Sequence, residues 1–441
     1  MAMIMAMATA QIVKRRGSSE PMSLDAGTLT RRLLVVAAML SLMWLAVTVG
    51  ISGIARVGNP ELALWWVPKD SRALSNLADR ILIEKQTAAT LKRAAELSRA
   101  AIKVDPTNVV AMRILGFAQP EAQQPVYFAY ANKLSKRDLA TQLWLIENQV
   151  GRGNAREALT HYDAALRTSE YAPALLFPIL SAASEDRELA PEIAKALAKK
   201  PDWAEPFLYE LVNSAPSADT LTMIFETVKK AGTVLPPALT DNLMRRILRD
   251  YRFDLMRRSY FVAGGKNANI GRSVNNGSFS VEPQFLPLDW AFTADEKIFA
   301  GRLSVDGAPN DYRMVVQVSD GVAGEAVRQL LLLAPGGYRL EAKSGNIPTA
   351  RDARVVWRMM CADKADTKIG DMLLSQAGEA DNITFMDFDV PKTGCSGQWI
   401  TLRVTSQTDG DGVDAWIDNV SIVARSRAEM RKDGDVSPKG T

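Results

Sequence analysis

Residues 383–404 read ITFMDFDVPKTGCSGQWITLRV. Apolar and polar residues alternate in ITFMDFDV and again in QWITLRV, and a Pro/Gly/Ser stretch separates the two runs, the pattern of paired half-buried strands. In the second run Ile400, Leu402 and Val404 share one face while Trp399, Thr401 and Arg403 share the other. With the aliphatic face inward, Trp399 looks outward beside a hydroxyl and a guanidinium. In the first run Asp387 and Asp389 point the same way, about 7 Å apart, opposite Met386, Phe388 and Val390. That separation is near what an inverting glycosidase needs between acid and base, although a solvated strand face is the plainer account.

Five further runs have the same character: RMVVQV (313–318), RQLLLL (328–333), YRLEAK (338–343), RVVWRMMC (354–361) and AWIDNVSIV (415–423). Seven short strands with turn residues between them imply an all-β antiparallel sandwich over 272–424. It opens after a Gly/Asn hinge, GGKNANIGRSVNNG (264–277). Trp290, Trp357 (with Met359) and Trp416 are expected in its core, as is usual for single tryptophans.

Three motifs at the borders of this region resemble carbohydrate-binding modules of the jelly-roll class. They are Asn276, Gly277 and Phe279 in NNGSFS, Pro335, Gly336, Tyr338 and Leu340 in APGGYRLEA, and Trp416, Asp418, Asn419 and Val420 near the end. The resemblance implies glycan binding. Sugar recognition needs an aromatic face for the apolar side of a pyranose and polar groups for its hydroxyls. Trp399, Thr401 and Arg403 supply that combination and are the glycan-binding candidates. Many such modules also hold a structural calcium through acidic opening residues and a closing Asp. Here Ser278 and Ser280 stand at the opening positions, so only Asp418 remains as a weak calcium candidate and no metal or cofactor is expected.

Upstream, 60–263 is helical in pattern. Leu91, Ala94, Ala95, Ser98, Ala101 and Ile102 follow i, i+3, i+4, i+7, i+10, i+11, and Ala155, Ala158, Leu159, Tyr162, Ala165 and Leu166 repeat it 64 residues later. These stretches resemble tetratricopeptide (TPR) repeats, the offset being near two 34-residue units. Ala94, Ala101, Pro106, Leu115 and Gly116 fall at motif positions, as do Gly153, Asn154, Ala158, Tyr162 and Ala165. After Pro173 the motif fades while helical periodicity persists, so later helices must complete the stack. The resemblance implies a surface for a protein partner; a spacer whose helices only pack on one another is the alternative. His161, one position off the apolar stripe, is expected to be solvated.

Further upstream, Leu33 to Ala55 carries no charge for 23 residues, enough to span about 34 Å and cross a membrane. Lys14, Arg15, Arg16, Arg31 and Arg32 precede it and outnumber Arg56, Lys69 and Arg72 after it, so the N-terminus is expected in the cytoplasm and the bulk in the periplasm. An uncleaved anchor over 31–56 is favoured over a signal peptide cut after Ala55, because the run exceeds a usual signal core. Arg31 and Arg32 also resemble a twin-arginine export signal. Residues 1–30 and 425–441 are expected to be disordered tails.

Export would put Cys361 and Cys395 in an oxidising compartment, where a pair is read as a disulfide. A single histidine excludes multi-histidine metal sites, and 53 basic against 50 acidic residues argues against nucleic acid. The expectation is a multidomain, non-catalytic inner-membrane protein: one transmembrane helix, a TPR-like region for a protein partner and a jelly-roll sandwich for a glycan, serving exopolysaccharide or envelope polysaccharide assembly. A carboxylate-based polysaccharide enzyme and a purely structural envelope subunit are its alternatives.

Overall fold

A computed structural model describes residues 26–214, 217–305, 308–349, 353–363, 367–375, 382–407 and 412–425. The tail expected over 1–30 therefore lies outside the described residues up to position 25, and the tail over 425–441 does so from 426. Two compact units divide the chain, Met1–Thr141 and Gln142–Thr441.

The first unit opens with α1 (Ala26–Gly58), α2 (Pro60–Trp66), α3 (Ser71–Glu84), α4 (Ala88–Val104), α5 (Val109–Phe117) and α6 (Gln124–Leu134). Residues 26–30, expected as tail, are already helical, and Thr30–Gly58 is long and apolar enough to cross a membrane. The starts of α3, α4 and α5 are each capped by a short polar side chain. Asp70 accepts the N–H of Arg72 and Ala73, Thr87 closes a capping box with Thr90, and Asn108 accepts the N–H of Ala111. Leu74, Ala78, Leu82, Ala94, Leu97, Ala101, Ala111 and Ile114 form the core, the alanines letting helices approach closely. Its polar centre is Arg113, buried on α5. The Arg113 Nη atoms donate to the two carboxylate oxygens of Asp79 at 3.0 and 3.1 Å, and Nε donates to Asp138 at 2.9 Å. Burial opposes the charge, yet Asp138 and Asp79 outweigh it and hold the guanidinium's pKa above its ordinary value.

The helical series continues through α7 (Leu139–Gly151), α8 (Ala155–Thr168), α9 (Ala172–Ala183), α10 (Leu189–Ala198), α11 (Ala204–Asn213), α12 (Ala218–Lys230), α13 (Pro237–Arg249) and α14 (Phe253–Ala263). On α8 the expected stripe is the buried one: Ala158, Tyr162, Ala165 and Leu166 face inward. His161 is half-buried rather than solvated, its Nδ1 3.0 Å from the Gln142 Oε1. Trp203 is buried, and its Nε1 donates to Asp163 at 2.9 Å. The series ends where Gly264 turns left-handed at φ 105°, a conformation that favours glycine.

The strands of the second unit are β1 (Ala291–Phe292), β2 (Ile298–Val305), β3 (Ala308–Val318), β4 (Ala323–Leu331) and β5 (Gly336–Gly345). They continue as β6 (Arg354–Cys361), β7 (Lys368–Leu373), β8 (Asn382–Val390), β9 (Gln398–Thr405) and β10 (Val413–Ala424). All pairings are antiparallel and form two five-stranded sheets, β1-β4-β9-β6-β7 and β2-β3-β10-β5-β8. The chain is thus helical first and then a two-sheet antiparallel sandwich. Six of the seven expected runs lie wholly in a strand, and RQLLLL runs two residues past the end of β4; β1, β2 and β7 were not anticipated.

Residues from both sheets meet in one interior, where Phe279, Trp290 and Trp357 are among the largest fully buried side chains. Trp290 lies 5.5 Å from Phe279 and 5.6 Å from Trp357 between ring centroids. Its Nε1 donates to the Asn276 carbonyl at 3.0 Å. Trp416, expected in the core, is instead only half-buried. Ala415 and Ile417 take the inward positions of β10, so strand alternation turns Trp416 outward. Gly277 closes the sandwich: its carbonyl accepts the Val420 N–H at 2.9 Å, and a Cβ there would lie 1.8 Å from the Val420 carbonyl oxygen. Cys361, inward at the end of β6, is disulfide-bonded to Cys395. Gln398, opposite Cys361 in register, holds the junction by donating to the Cys395 carbonyl at 2.6 Å and accepting the Leu333 N–H at 2.8 Å.

Candidate functional site

β9 runs through the middle of the first sheet, with β4 on one side and β6 on the other. Ile400, Leu402 and Val404 are buried in the interior, which places Trp399, Thr401 and Arg403 on the outer face. Register brings Leu330 and Met360 opposite Trp399, Arg328 and Arg358 opposite Thr401, and Glu325 and Val356 opposite Arg403. Trp399 is half-buried, and the Arg328 guanidinium lies 5.0 Å from its ring centroid. Leu330, outside the interior cluster yet fully buried, donates its N–H to the Pro287 carbonyl at 2.9 Å, which sets Pro287 beside β4 at the edge of the sheet.

The three candidates are not equally accessible. Arg403 is exposed, but Thr401, between two arginines, is buried, and its hydroxyl donates to the Arg358 carbonyl at 3.4 Å. Arg354 adds a fourth guanidinium to the face. Arg358 forks onto Asp371 of β7 at 2.8 and 3.0 Å, which holds the carboxyl below its ordinary pKa and raises that of the guanidinium. Lys368 joins Asp371 at 3.4 Å, and Glu325 lies 3.6 Å from Arg328. Among the described residues, five cations thus share this outer face with two carboxylates. Arg354 and Arg403 form no ion pair with another described residue.

The three aspartates singled out from the sequence, Asp387, Asp389 and Asp418, lie on the second sheet, away from Trp399, and Asp389 is exposed. Asp387 is forked by Arg339 at 2.7 and 2.9 Å and approached by Arg425 at 3.5 Å. The hydrogen bonds from Arg339 and the charge of Arg425 hold it below the usual carboxylate range, which suits an ionised partner better than a general acid. Asp418 faces outward on β10, opposite Lys343. Burial raises its pKa, and its neighbours include both Asp311 and the cations of Lys343 and Arg313. Trp416 lies alongside with Arg313 4.8 Å and Lys343 5.8 Å from its ring. The Ser278 hydroxyl donates to that of Ser280 within the opening loop. Among the described residues, no group of three or more His, Cys, Asp or Glu gathers to hold a metal.

No family model matches the sequence, and no curated protein matches it. Solved structures do resemble part of the chain. The enzymatically active domain of bacteriophage CBA120 tailspike protein 4 aligns over 35% of this chain and 22% of its own, at 17% identity and a TM-score of 0.26. The CBM22-1 and GH10 modules of Clostridium thermocellum endo-1,4-β-D-xylanase 10B, complexed with xylohexaose, align over 35% of this chain and 29% of theirs, at 16% identity and 0.26. The C-terminal family 22 carbohydrate-binding module of the same Clostridium thermocellum enzyme aligns over 31% of this chain and 84% of its own, at 9% identity and 0.24. The chain spans less than a third of the first two. The sandwich assignment rests on the strand pairing described above.

Proposed function

We propose that this is a membrane-anchored, non-catalytic binding protein whose sandwich holds an acidic glycan on the outer face of the first sheet. The observation that carries this reading is the arrangement around β9, where Trp399, with Arg328 over its ring, shares one sheet face with the exposed Arg403 and Arg354, about 13 and 20 Å further along the strand and both without a described acidic partner. An indole face accepts the C–H side of a sugar ring, and a guanidinium forks onto a carboxylate or sulfate. Asp387, engaged by Arg339 and Arg425, supports binding over hydrolysis.

The helical region is read as TPR-like repeats that hold a protein partner. A recess of about 510 Å³ in the first unit, lined by Leu82, Ile83, Leu91 and Phe117 beside the ion-paired Arg113, supports that role. The disulfide and the basic residues before the apolar run of α1 support an extracytoplasmic placement, the periplasm of a bacterial cell. A membrane tether, a protein-binding arm and a glycan module together suit a scaffold for exopolysaccharide or envelope polysaccharide assembly.

Equilibrium binding of the full chain to neutral and acidic polysaccharides, with reducing-end release assayed in parallel, tests this. Salt-sensitive binding to acidic glycans without release is expected. Release would make the protein an enzyme. Absence of any glycan binding would favour a structural subunit, for which Phe299 and Leu303 on β2 and Ile383 and Phe385 on β8 offer exposed apolar side chains at the two edges of the second sheet.

A further inference from the structure

Along α1 the surroundings change abruptly. Leu33 through Val47 are uncharged and all exposed, 15 residues or about 22 Å, the greater part of the roughly 30 Å of a bilayer's hydrocarbon, with Arg31 and Arg32 at the N-terminal end. At Thr48 the protein begins to cover the helix, and one turn on Ser52 is 2% exposed. The Ser52 hydroxyl donates to Asp70 at 2.7 Å, and the Asn76 amide donates to the Arg56 carbonyl at 2.7 Å. A carboxylate and an amide bound at this level keep it out of hydrocarbon, which would charge several kcal/mol for each. The lipid boundary therefore lies below Ser52, short of Ala55 where the apolar run ends. Cleavage after Ala55 would also remove the hydroxyl that Asp70 binds, so the outer turns of α1 belong to the fold of the first unit.

Three tryptophans gather at that boundary. From its cap, where Asn59 accepts the Leu62 N–H at 3.1 Å, α2 doubles back along α1 until Trp66 meets Trp44, the ring centroids 5.7 Å apart. Trp65 stands edge-on to Trp66 at 4.9 Å and remains 73% exposed. An indole so exposed is not packing within the unit, and it continues the uncovered surface of α1. Indoles favour the headgroup level, where the ring is half in the acyl region and the N–H reaches water.

We infer that Trp44, Trp65 and Trp66 form an aromatic belt seated at the outer headgroup–acyl boundary of the bilayer that α1 crosses, with α2 lying along that interface. The inference rests on reading α1 as an uncleaved anchor. It makes the junction a two-helix contact with lipid in place of a flexible tether, fixing the height of α3 and α4 of the first unit above the membrane.

The test uses the full chain in phosphatidylethanolamine/phosphatidylglycerol vesicles, labelled with a fluorophore at Trp65→Cys, Leu40→Cys or Ile83→Cys; the native cysteines are engaged in their disulfide. Quenching is compared between iodide in the water and lipid nitroxides placed near the headgroup or deep in the acyl chain. The label at 65 should be quenched best by the shallow nitroxide and several times less by iodide than the label at 83, while the label at 40 responds to the deep nitroxide. If 40 lies in hydrocarbon but 65 is as open to iodide as 83, the belt is refuted and the anchor stands. If 40 is itself open to iodide, the anchor reading fails and the belt with it.

Discussion

Replacing both Cys361 and Cys395 with alanine removes a cross-link between residues 34 apart in sequence. In the chain-entropy picture a closed loop of that length stabilises by about 3.8 kcal/mol at 25 °C. Both cysteines are buried in the sandwich interior, at 1% and 4% exposure, so lost packing adds to the effect. At about 2 to 4 °C per kcal/mol for a unit of this size, the sandwich's melting temperature should fall by roughly 8 to 15 °C. The assay is thermal unfolding of the full chain in detergent, followed by near-ultraviolet circular dichroism, which reports on the packed Trp290 and Trp357. Wild-type protein under reductant, which keeps both side chains packed, should melt below the oxidised protein and above the variant. A shift below about 2 °C would refute the reasoning, as would labelling of both thiols in the folded, unreduced protein.

Gly277→Ala puts a Cβ against the Val420 carbonyl, which is backbone and cannot swing aside, so a loss of about 1 to 3 kcal/mol is expected in denaturant titration; an unchanged midpoint would mean the strand ends separate freely. At Asp418 burial raises the folded pKa above the 3.8 of an unperturbed carboxyl, so the group's favourable contribution is present below that value and lost as pH rises through the raised one. Asp418→Asn should accordingly stabilise the protein at pH 7 and lose its advantage below about pH 3.8, with no rise in the wild-type midpoint on adding calcium. Equal midpoints for variant and wild type at pH 7 would contradict the assignment, and calcium stabilisation would restore a metal role. Arg113→Met strands Asp79 and Asp138; because the Asp79 side chain is 30% exposed, the cost should be roughly 2 to 3 kcal/mol, below the 3 to 5 of a fully buried pair, and a loss under about 0.5 would show that the cluster is dispensable.

The legible parts were those whose pattern one neighbour decides. QWITLRV alternates because one face of β9 meets the interior, and the alanine stripes of α4 and α8 repeat because each meets a helix. β2 escaped notice because Phe299 and Leu303 put apolar residues on its outer face, which erases the alternation. β7 is six residues long with a glycine in the middle. Trp416 was misplaced although Ala415 and Ile417 beside it carried the same signal that turned Trp399 outward. The Arg113 cluster was invisible for a different reason. Its carboxylates lie 34 and 25 residues away, and only the packing of α3 against α5 brings the first of them near. Apart from Arg403 on β9, the arginines on this face come from β4 and β6, whose register no local pattern specifies.

The central claim is that Trp399 is a sugar platform on a face that recognises acidic glycans. Titration of the full-length wild type and Trp399→Ala with the acidic polysaccharide bound most tightly, alongside their melting temperatures, tests it most directly. Loss of the stacking surface and of its contact with Arg328 should cost about 1 to 3 kcal/mol, a weakening of roughly 5-fold to 150-fold, with the melting temperature nearly unchanged. Undiminished affinity in the variant, or a collapse of its melting temperature, would contradict the account.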